Sequence, residues 1–203
     1  MKTAFFGGTF DPVHTGHLAL AREVLKQGRA DRILFVPAPV PPHKDAAQIT
    51  AFGHRFAMVG LAIAGEPGFV CSDIEKHRSG KSYTIDTLTE LAGLDTYGEI
   101  QLLIGSDSLR QLHLWYHAHE LVERFGLIVY PRRNEPVTAA ELRRHWSEAE
   151  CARLQAALMV SAPEFPFSST LIREIIKKNG VKAVSSFVTA PVAEYITSHG
   201  LYH

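Results

Sequence analysis

Cysteine is nearly absent from this chain: it occurs twice in 203 residues, as Cys71 and Cys151. Two cysteines so far apart build no disulfide framework, so a reducing compartment is the expectation. An excess of charge of either sign is missing too, since 21 basic residues face 21 acidic ones. That balance excludes the broad basic surface of a nucleic-acid or anionic-membrane binder, while leaving room for positive charge gathered in a cleft. No apolar run approaches the ~20 residues that span a bilayer. The first ten residues hold one lysine, a short apolar stretch and two glycines, which is not a secretory leader. Repeats, linkers and low-complexity tracts are lacking as well. The expectation is one cytoplasmic domain over 1–203, with a helical C-terminal portion from about 161 to 203 and no nucleic-acid or membrane partner.

What the chain does have is alternation. Thr3 to Phe6 reads as a first strand. Leu18, Ala21 and Leu25 then recur at helical spacing, with Gly28 as a stop. Arg32 to Val36 is a second short apolar run, and Pro37, Pro39, Pro41 and Pro42 make the stretch after it a loop. A helix is predicted over Phe52 to Ile63, with Phe56, Val59 and Ile63 on its buried side. Phe69 to Cys71 reads as a strand, and Tyr83 to Leu91 as a helix capped by Ser82. Strands are predicted at Ile100–Ile104 and Leu127–Tyr130, with a sixth at Leu158–Val160. Helices close the sequence at Thr170–Lys178 and at Pro191–His199, the latter with proline at its start and glycine after its end. Short buried runs alternating with helices predict an α/β fold, Rossmann-like and doubly wound, with a mainly parallel sheet covered on both faces. In such sheets ligands bind beyond the carboxyl ends of the strands, where the strand order reverses. Gly7-Gly8, Pro37 to Lys44, Gly105-Ser106-Asp107 and Pro131-Arg132-Arg133 all follow strands, so one crevice is expected to collect them.

The densest chemical signal is Gly7-Gly8-Thr9-Phe10-Asp11-Pro12-Val13-His14-Thr15-Gly16-His17. Glycines after a strand let backbone N–H groups approach an anion. The helix that follows points its positive end the same way. His14 and His17, near one face of its first turn, add donors for a group that gains negative charge. Far downstream, Ser168-Ser169-Thr170-Leu171-Ile172-Arg173 repeats the logic: Ser168 or Ser169 caps a helix whose N–H groups are free for an anion, and Arg173 follows one turn in.

The first stretch resembles the G-G-T-F-D-P-x-H-x-G-H signature of the nucleotidyltransferase superfamily, and the second its S-S-T-x-I-R motif. Within that superfamily the chain is similar to the bacterial nicotinate mononucleotide adenylyltransferases. Pro41-Pro42-His43-Lys44, Ser82-Tyr83-Thr84-Ile85-Asp86-Thr87-Leu88 and Gly105-Ser106-Asp107 with Trp115-Tyr116 downstream match further family stretches, and the likeness runs on to Leu201-Tyr202. The resemblance implies adenylyl transfer from ATP to nicotinate mononucleotide, with Mg²⁺ travelling with the ATP and no metal of the protein's own. It implies that Gly7, Gly8, Thr9 and Phe10 meet the triphosphate and that His14 and His17 hold the phosphates, His17 nearest the reacting one. It implies that His43 and Lys44 reach over from the proline loop, that Thr84 binds the acceptor, and that Gly105 and Asp107 serve a ribose. Trp115 would stack on the pyridine ring with Tyr116 beside it, Arg132 would meet the acceptor phosphate, and Ser168, Ser169 and Arg173 would close on the ATP end. His14, His17, Lys44 and Arg173 form the expected catalytic set.

Two departures stand out. After the fifth strand the family shows an arginine followed closely by glycine; here Pro131-Arg132-Arg133-Asn134-Glu135 leaves open which arginine acts. Ser185 to Pro191 departs from the family's tyrosine-leucine-valine-proline pattern. The competing functions are another adenylyltransferase, such as one acting on phosphopantetheine, a metal-dependent hydrolase built on His113, His117 and His119, and a non-catalytic nucleotide sensor. Nicotinate against nicotinamide preference and monomer against homo-oligomer stay open.

Overall fold

Along the first strands, neighbouring side chains belong to different cores. Ala4, Phe6, Ile33 and Phe35 join one buried cluster, while Phe5, Leu34 and Val36 join another. Successive residues of a strand face opposite sides, so continuous apolar runs mean a sheet buried on both faces. The computed structural model describes residues 1–39, 49–76, 78, 82–132 and 137–203. Its five strands are β1 (Lys2–Gly8), β2 (Arg32–Pro37), β3 (Phe69–Cys71), β4 (Glu99–Gly105) and β5 (Gly126–Tyr130). They pair in parallel throughout, in the order β3-β2-β1-β4-β5. The chain moves outward from β1 to β3, then crosses back to place β4 on the other side of β1. The order therefore reverses between β1 and β4, where a crevice opens at the carboxyl ends.

One face is covered by α1 (Thr15–Lys26), α2 (Phe52–Ile63), α8 (Ser169–Asn179) and α9 (Ala190–Ser198). The other carries α3 (Thr84–Ala92), α4 (Ser106–Gln111), α5 (Ala118–Arg124), α6 (Ala139–Leu142) and α7 (Glu148–Ala156). The doubly wound expectation is what the structure has, and the sheet, expected to be mainly parallel, is parallel throughout. Among the described residues no helix is long and apolar enough to cross a membrane.

Three local expectations are corrected. Tyr83, not Ser82, occupies the N-cap position of α3, and Ser82 Oγ instead accepts a hydrogen bond from Arg78 Nη1 at 3.1 Å. Leu158–Val160 is no strand: a single parallel bridge joins Leu158 to Val129, and Val160 is 98% exposed. On α2 the fully buried stripe is Arg55, Met58, Val59, Ala62 and Ile63, with Phe56 only partly covered.

Candidate active site

The turn leaving β1 is tied to its neighbours before any ligand arrives. Ala38 N–H donates to Gly8 O at 2.8 Å, joining the first glycine turn to the start of the proline loop. Phe10 has a left-handed backbone, φ +48°, which a bulky residue adopts only where its surroundings hold it. What holds it is its ring, buried edge-on against Phe6 at 5.5 Å and against His17 at 5.1 Å between centroids. Apart from the triphosphate contact expected of Phe10, its side chain is the anchor of the turn and one wall around His17.

His14 and His17 stack, ring centroids 3.6 Å apart and planes 23° apart. A Cβ at Gly16 would stand 3.0 Å from His14 Nδ1 and 3.0 Å from the Phe165 ring, tight contacts that the glycine avoids. Phe167 lies edge-on to His14 at 5.4 Å. In this aromatic surround burial pushes His14 down to about 4, with the positive charge of Arg132 adding to the effect. His17 is held well below its ordinary value by burial, then by His14 and Arg132. Both rings are therefore neutral at pH 7. His17 Nδ1 accepts the His14 backbone N–H at 3.1 Å, which places the ring proton on Nε2. The pair offers neutral donors to an anion and costs no buried charge when the site is empty.

This has a consequence for stability. Between pH 6.5 and about 4 the unfolded chain takes up a proton that folded His14 refuses. Stability contributed by neutral His14 is complete above that window and is lost as the pH falls through it. The loss from His14 alone reaches about 3 kcal/mol at the acid end. Urea unfolding of wild type and His14→Asn between about pH 7.5 and 4.5 checks this. The wild-type midpoint should fall more steeply, and parallel curves would show that His14 is not kept neutral by the fold.

The other strand ends bring their residues to the same edge. Gly105 ends β4, and a Cβ there would collide with the Asp107 carboxylate and lie 2.9 Å from Arg132 Nε. Arg132 Nε pairs with Asp107 Oδ1 at 3.2 Å, its backbone N–H donates to Ser106 Oγ at 2.9 Å, and its Nη2 donates to Tyr130 Oη at 3.0 Å. Arg132 is thus fixed beside Asp107, close enough to act electrically on both histidines. From the far end of the chain, Ser169 Oγ donates to Pro12 O at 2.9 Å and Arg173 Nη1 to Asp11 O at 2.7 Å. Of the two candidate caps of α8, Ser168 does the capping, accepting from Leu171 N–H at 3.3 Å. The remote serine–arginine motif and the histidine motif therefore meet.

Thr84 opens α3 and is partly buried. Trp115 is partly buried against the core of the β4–β5 side, and Tyr116 is exposed and stacked on Tyr83 at 4.3 Å. These three lie at the start of α3 and between α4 and α5, whose buried residues belong to the core opposite that of α1 and α8. His43, Lys44 and Arg133 lie outside the described residues. His113, His117 and His119 do not converge: His113 stacks on His145 at 3.7 Å, His117 pairs with Glu120 at 2.9 Å and His119 with Glu150 at 2.7 Å. Among the described residues no group of three or more His, Cys, Asp or Glu is placed to hold a metal ion. Burial pushes the Cys71 thiol up to about 12, so it is no nucleophile at neutral pH.

Sequence reasoning missed several polar residues. Glu75 is buried, its carboxyl raised by that burial, and it accepts from Thr87 Oγ1 at 2.8 Å under the start of α3. Arg55 is fully buried beneath the first turn, and Tyr202 Oη donates to Asp11 Oδ1 at 2.7 Å. A signal for Arg55 was present, since it shares a helix face with Met58, Val59 and Ala62, where an unpaired cation is not tolerated.

The model of the family described as cytidylyltransferase-like matches residues 5–175. A probable nicotinate-nucleotide adenylyltransferase of Dehalococcoides mccartyi is 40% identical over all of this chain and 98% of its own. One from a Synechococcus species is 41% identical, over 99% of this chain and 96% of its own. Among solved structures, Plasmodium falciparum nicotinic acid mononucleotide adenylyltransferase complexed with NaAD superposes with a TM-score of 0.78 at 19% identity, covering 99% of this chain and 97% of that one.

Proposed function

This chain belongs to the cytidylyltransferase-like family, alongside the nicotinate-nucleotide adenylyltransferases, and from that premise we propose that it moves an adenylyl group from ATP to nicotinate mononucleotide, a step in making NAD. The products are nicotinate adenine dinucleotide and pyrophosphate. One observation carries this reading beyond the family likeness. Ser169 and Arg173 hydrogen-bond to the same turn that leads into the stacked histidines, at the strand ends where the sheet order reverses. Cationic and N–H donors from distant parts of the chain thus surround one place suited to a polyphosphate.

The chemistry needs little from the protein beyond placement and charge. A phosphate monoester with a second pKa of ~6 is already an anionic nucleophile at neutral pH. Its oxygen forms a bond to the α-phosphorus, the bond to the bridging oxygen breaks, and pyrophosphate leaves with the electron pair. No general base is required. Catalysis is then orientation plus stabilisation of charge on the transferred and departing groups. In this reading Gly7, Gly8, Thr9 and the first N–H groups of α1 cradle the triphosphate. His17 Nε2–H donates to the reacting phosphate and His14 to its neighbour, while Arg173 and Ser169 guard the nucleotide end. His43 and Lys44, outside the described residues, are assigned by the same proposal to the phosphates and the acceptor. Asp107, held by Arg132, takes a ribose, and Arg132 supplies charge for the acceptor phosphate. Mg²⁺ enters as the counterion of ATP, on phosphate oxygens and water.

On the acceptor side, Trp115→Ala should raise the KM for nicotinate mononucleotide about tenfold and change kcat less, the size expected for losing one aromatic stacking platform. Steady-state kinetics at saturating ATP give the answer, and an unchanged acceptor KM would remove the stacking role. The reaction itself is tested by pyrophosphate release with ATP and, in turn, nicotinate mononucleotide, nicotinamide mononucleotide and phosphopantetheine. Turnover confined to phosphopantetheine would overturn the proposed acceptor.

A further inference from the structure

Arg55 lies on α2, outside every motif that suggests adenylyl transfer, and its side chain is fully buried. A guanidinium has five N–H donors and no acceptor, so burying it is costly unless those donors are met. Three backbone carbonyls from three places take one donor from each of its nitrogens. Nε donates to Thr50 O at 2.8 Å, Nη1 to Thr9 O at 2.7 Å and Nη2 to Pro39 O at 2.8 Å. Thr9 belongs to the glycine turn on the donor side. Pro39 belongs to the chain entering the proline loop, from which His43 and Lys44 are expected to act.

A second group closes the same ring of contacts. Asp11 is 2% exposed, and its carboxylate accepts from Tyr202 Oη at 2.7 Å and from Thr50 N–H at 3.3 Å. Its carbonyl accepts from Arg173 Nη1 at 2.7 Å. Thr50 is therefore gripped at both ends, its carbonyl by Arg55 and its N–H by Asp11. Tyr202 reaches Asp11 from a left-handed backbone, φ +67°, a conformation kept only where contacts reward it. The residues at 9–12 are thus held by Arg55 at Thr9, by Tyr202 and Arg173 at Asp11, and by Ser169 at Pro12.

We infer that Arg55 and Tyr202 are positioning residues for the transfer: they lock the Thr9–Pro12 turn to the chain entering the proline loop and so fix the donor half of the site against the acceptor half. The inference rests on the adenylyl-transfer reading for its reaction, but not for its geometry. A rigid turn presents N–H groups that need no reordering when the triphosphate arrives, whereas a loose one must be ordered with each turnover. A planar fork aimed at three carbonyls is not replaced by an ammonium, so Arg55→Lys keeps the charge and loses the clamp. Tyr202→Phe removes one hydroxyl and keeps the ring in place.

The test compares wild type, Arg55→Lys, Tyr202→Phe and the double variant. Each is measured for kcat and KM of both substrates, for thermal midpoint, and for calorimetric binding of a non-hydrolysable ATP analogue. Activity is normalised to the folded fraction. Tyr202→Phe should fold with a midpoint lowered by a few degrees, because buried Asp11 loses one donor, and should lose about tenfold in kcat/KM after normalisation to folded protein, the scale of one hydrogen bond to a charged group. Arg55→Lys should lose about a hundredfold, as expected when reacting groups shift by an ångström. Both should bind the ATP analogue more weakly, and the double variant should lose less than the product of the two, since both act on one turn. Normalised kinetics and analogue binding equal to wild type in both single variants would overturn the inference and leave the residues as stabilisers only. Should Arg55→Lys fail to fold, Tyr202→Phe decides alone. Wild type that binds the analogue but releases no pyrophosphate with nicotinate mononucleotide would sink the functional reading, while the binding series still decides the positioning. Wild type that binds no analogue would sink both.

Discussion

Replacing His17 by alanine should lower kcat by about 10²–10³, the usual result of removing one preorganised donor from a site where charge develops. The size follows from the state of the ring. His17 is neutral, its Nδ1 is committed to the His14 backbone N–H, and its Nε2–H is the remaining donor. Packed against Phe6 and Phe10, that donor needs no reorientation as the transition state forms. The fold should survive, because α1 is held by Leu18, Leu20, Ala21 and Val24, which are buried independently of the imidazole. Circular dichroism and a thermal midpoint check folding, and pre-steady-state measurement of pyrophosphate release separates chemistry from product escape. Retention of kcat within about threefold of wild type would remove His17 from the transfer step, since the loss expected of a lone donor is far larger.

Much of this site was legible because phosphate recognition uses backbone geometry, and backbone geometry leaves marks in sequence. A side chain at Gly7 would meet the Phe5 ring, one at Gly8 the Phe10 ring and one at Gly16 the His14 imidazole, and Ser168 stands at the cap of α8. The five strands were legible because burial on two faces forces unbroken apolar runs. The helix face hinted at Arg55, but the partners within the polar frame around the site were not legible. Arg55, Glu75 and Asp11 are satisfied by partners distant in the chain, and nothing local to Arg55 announces the carbonyls of Thr9 and Pro39. The same limit hid α4, α5 and α6, which have four to seven residues and give too few turns for a period to emerge. Ser82 was misplaced as a cap for a related reason: capping preference is local, but Arg78, already holding Thr87 at 2.5 Å, takes the Ser82 hydroxyl as well.

On the proposed reading, Arg173→Ala should lower kcat/KM for ATP by about 10²–10³, because one side chain would serve the turn and the phosphates at once. Nη1 holds the Asp11 carbonyl at 2.7 Å and Nη2 reaches Thr170 Oγ1 at 3.5 Å, and the proposal gives the remaining N–H groups of the fork to the nucleotide. The two roles separate by choice of substitute. Glutamine can still donate to the Asp11 carbonyl but carries no charge. Lysine keeps the charge but not the fork. If charge on the departing pyrophosphate is what Arg173 stabilises, lysine should recover the larger share, and pyrophosphate should inhibit the lysine variant more strongly than the glutamine one. Equal recovery by both, with unchanged pyrophosphate inhibition, would assign Arg173 to holding the turn and leave the developing charge to the histidines and the N-terminus of α1.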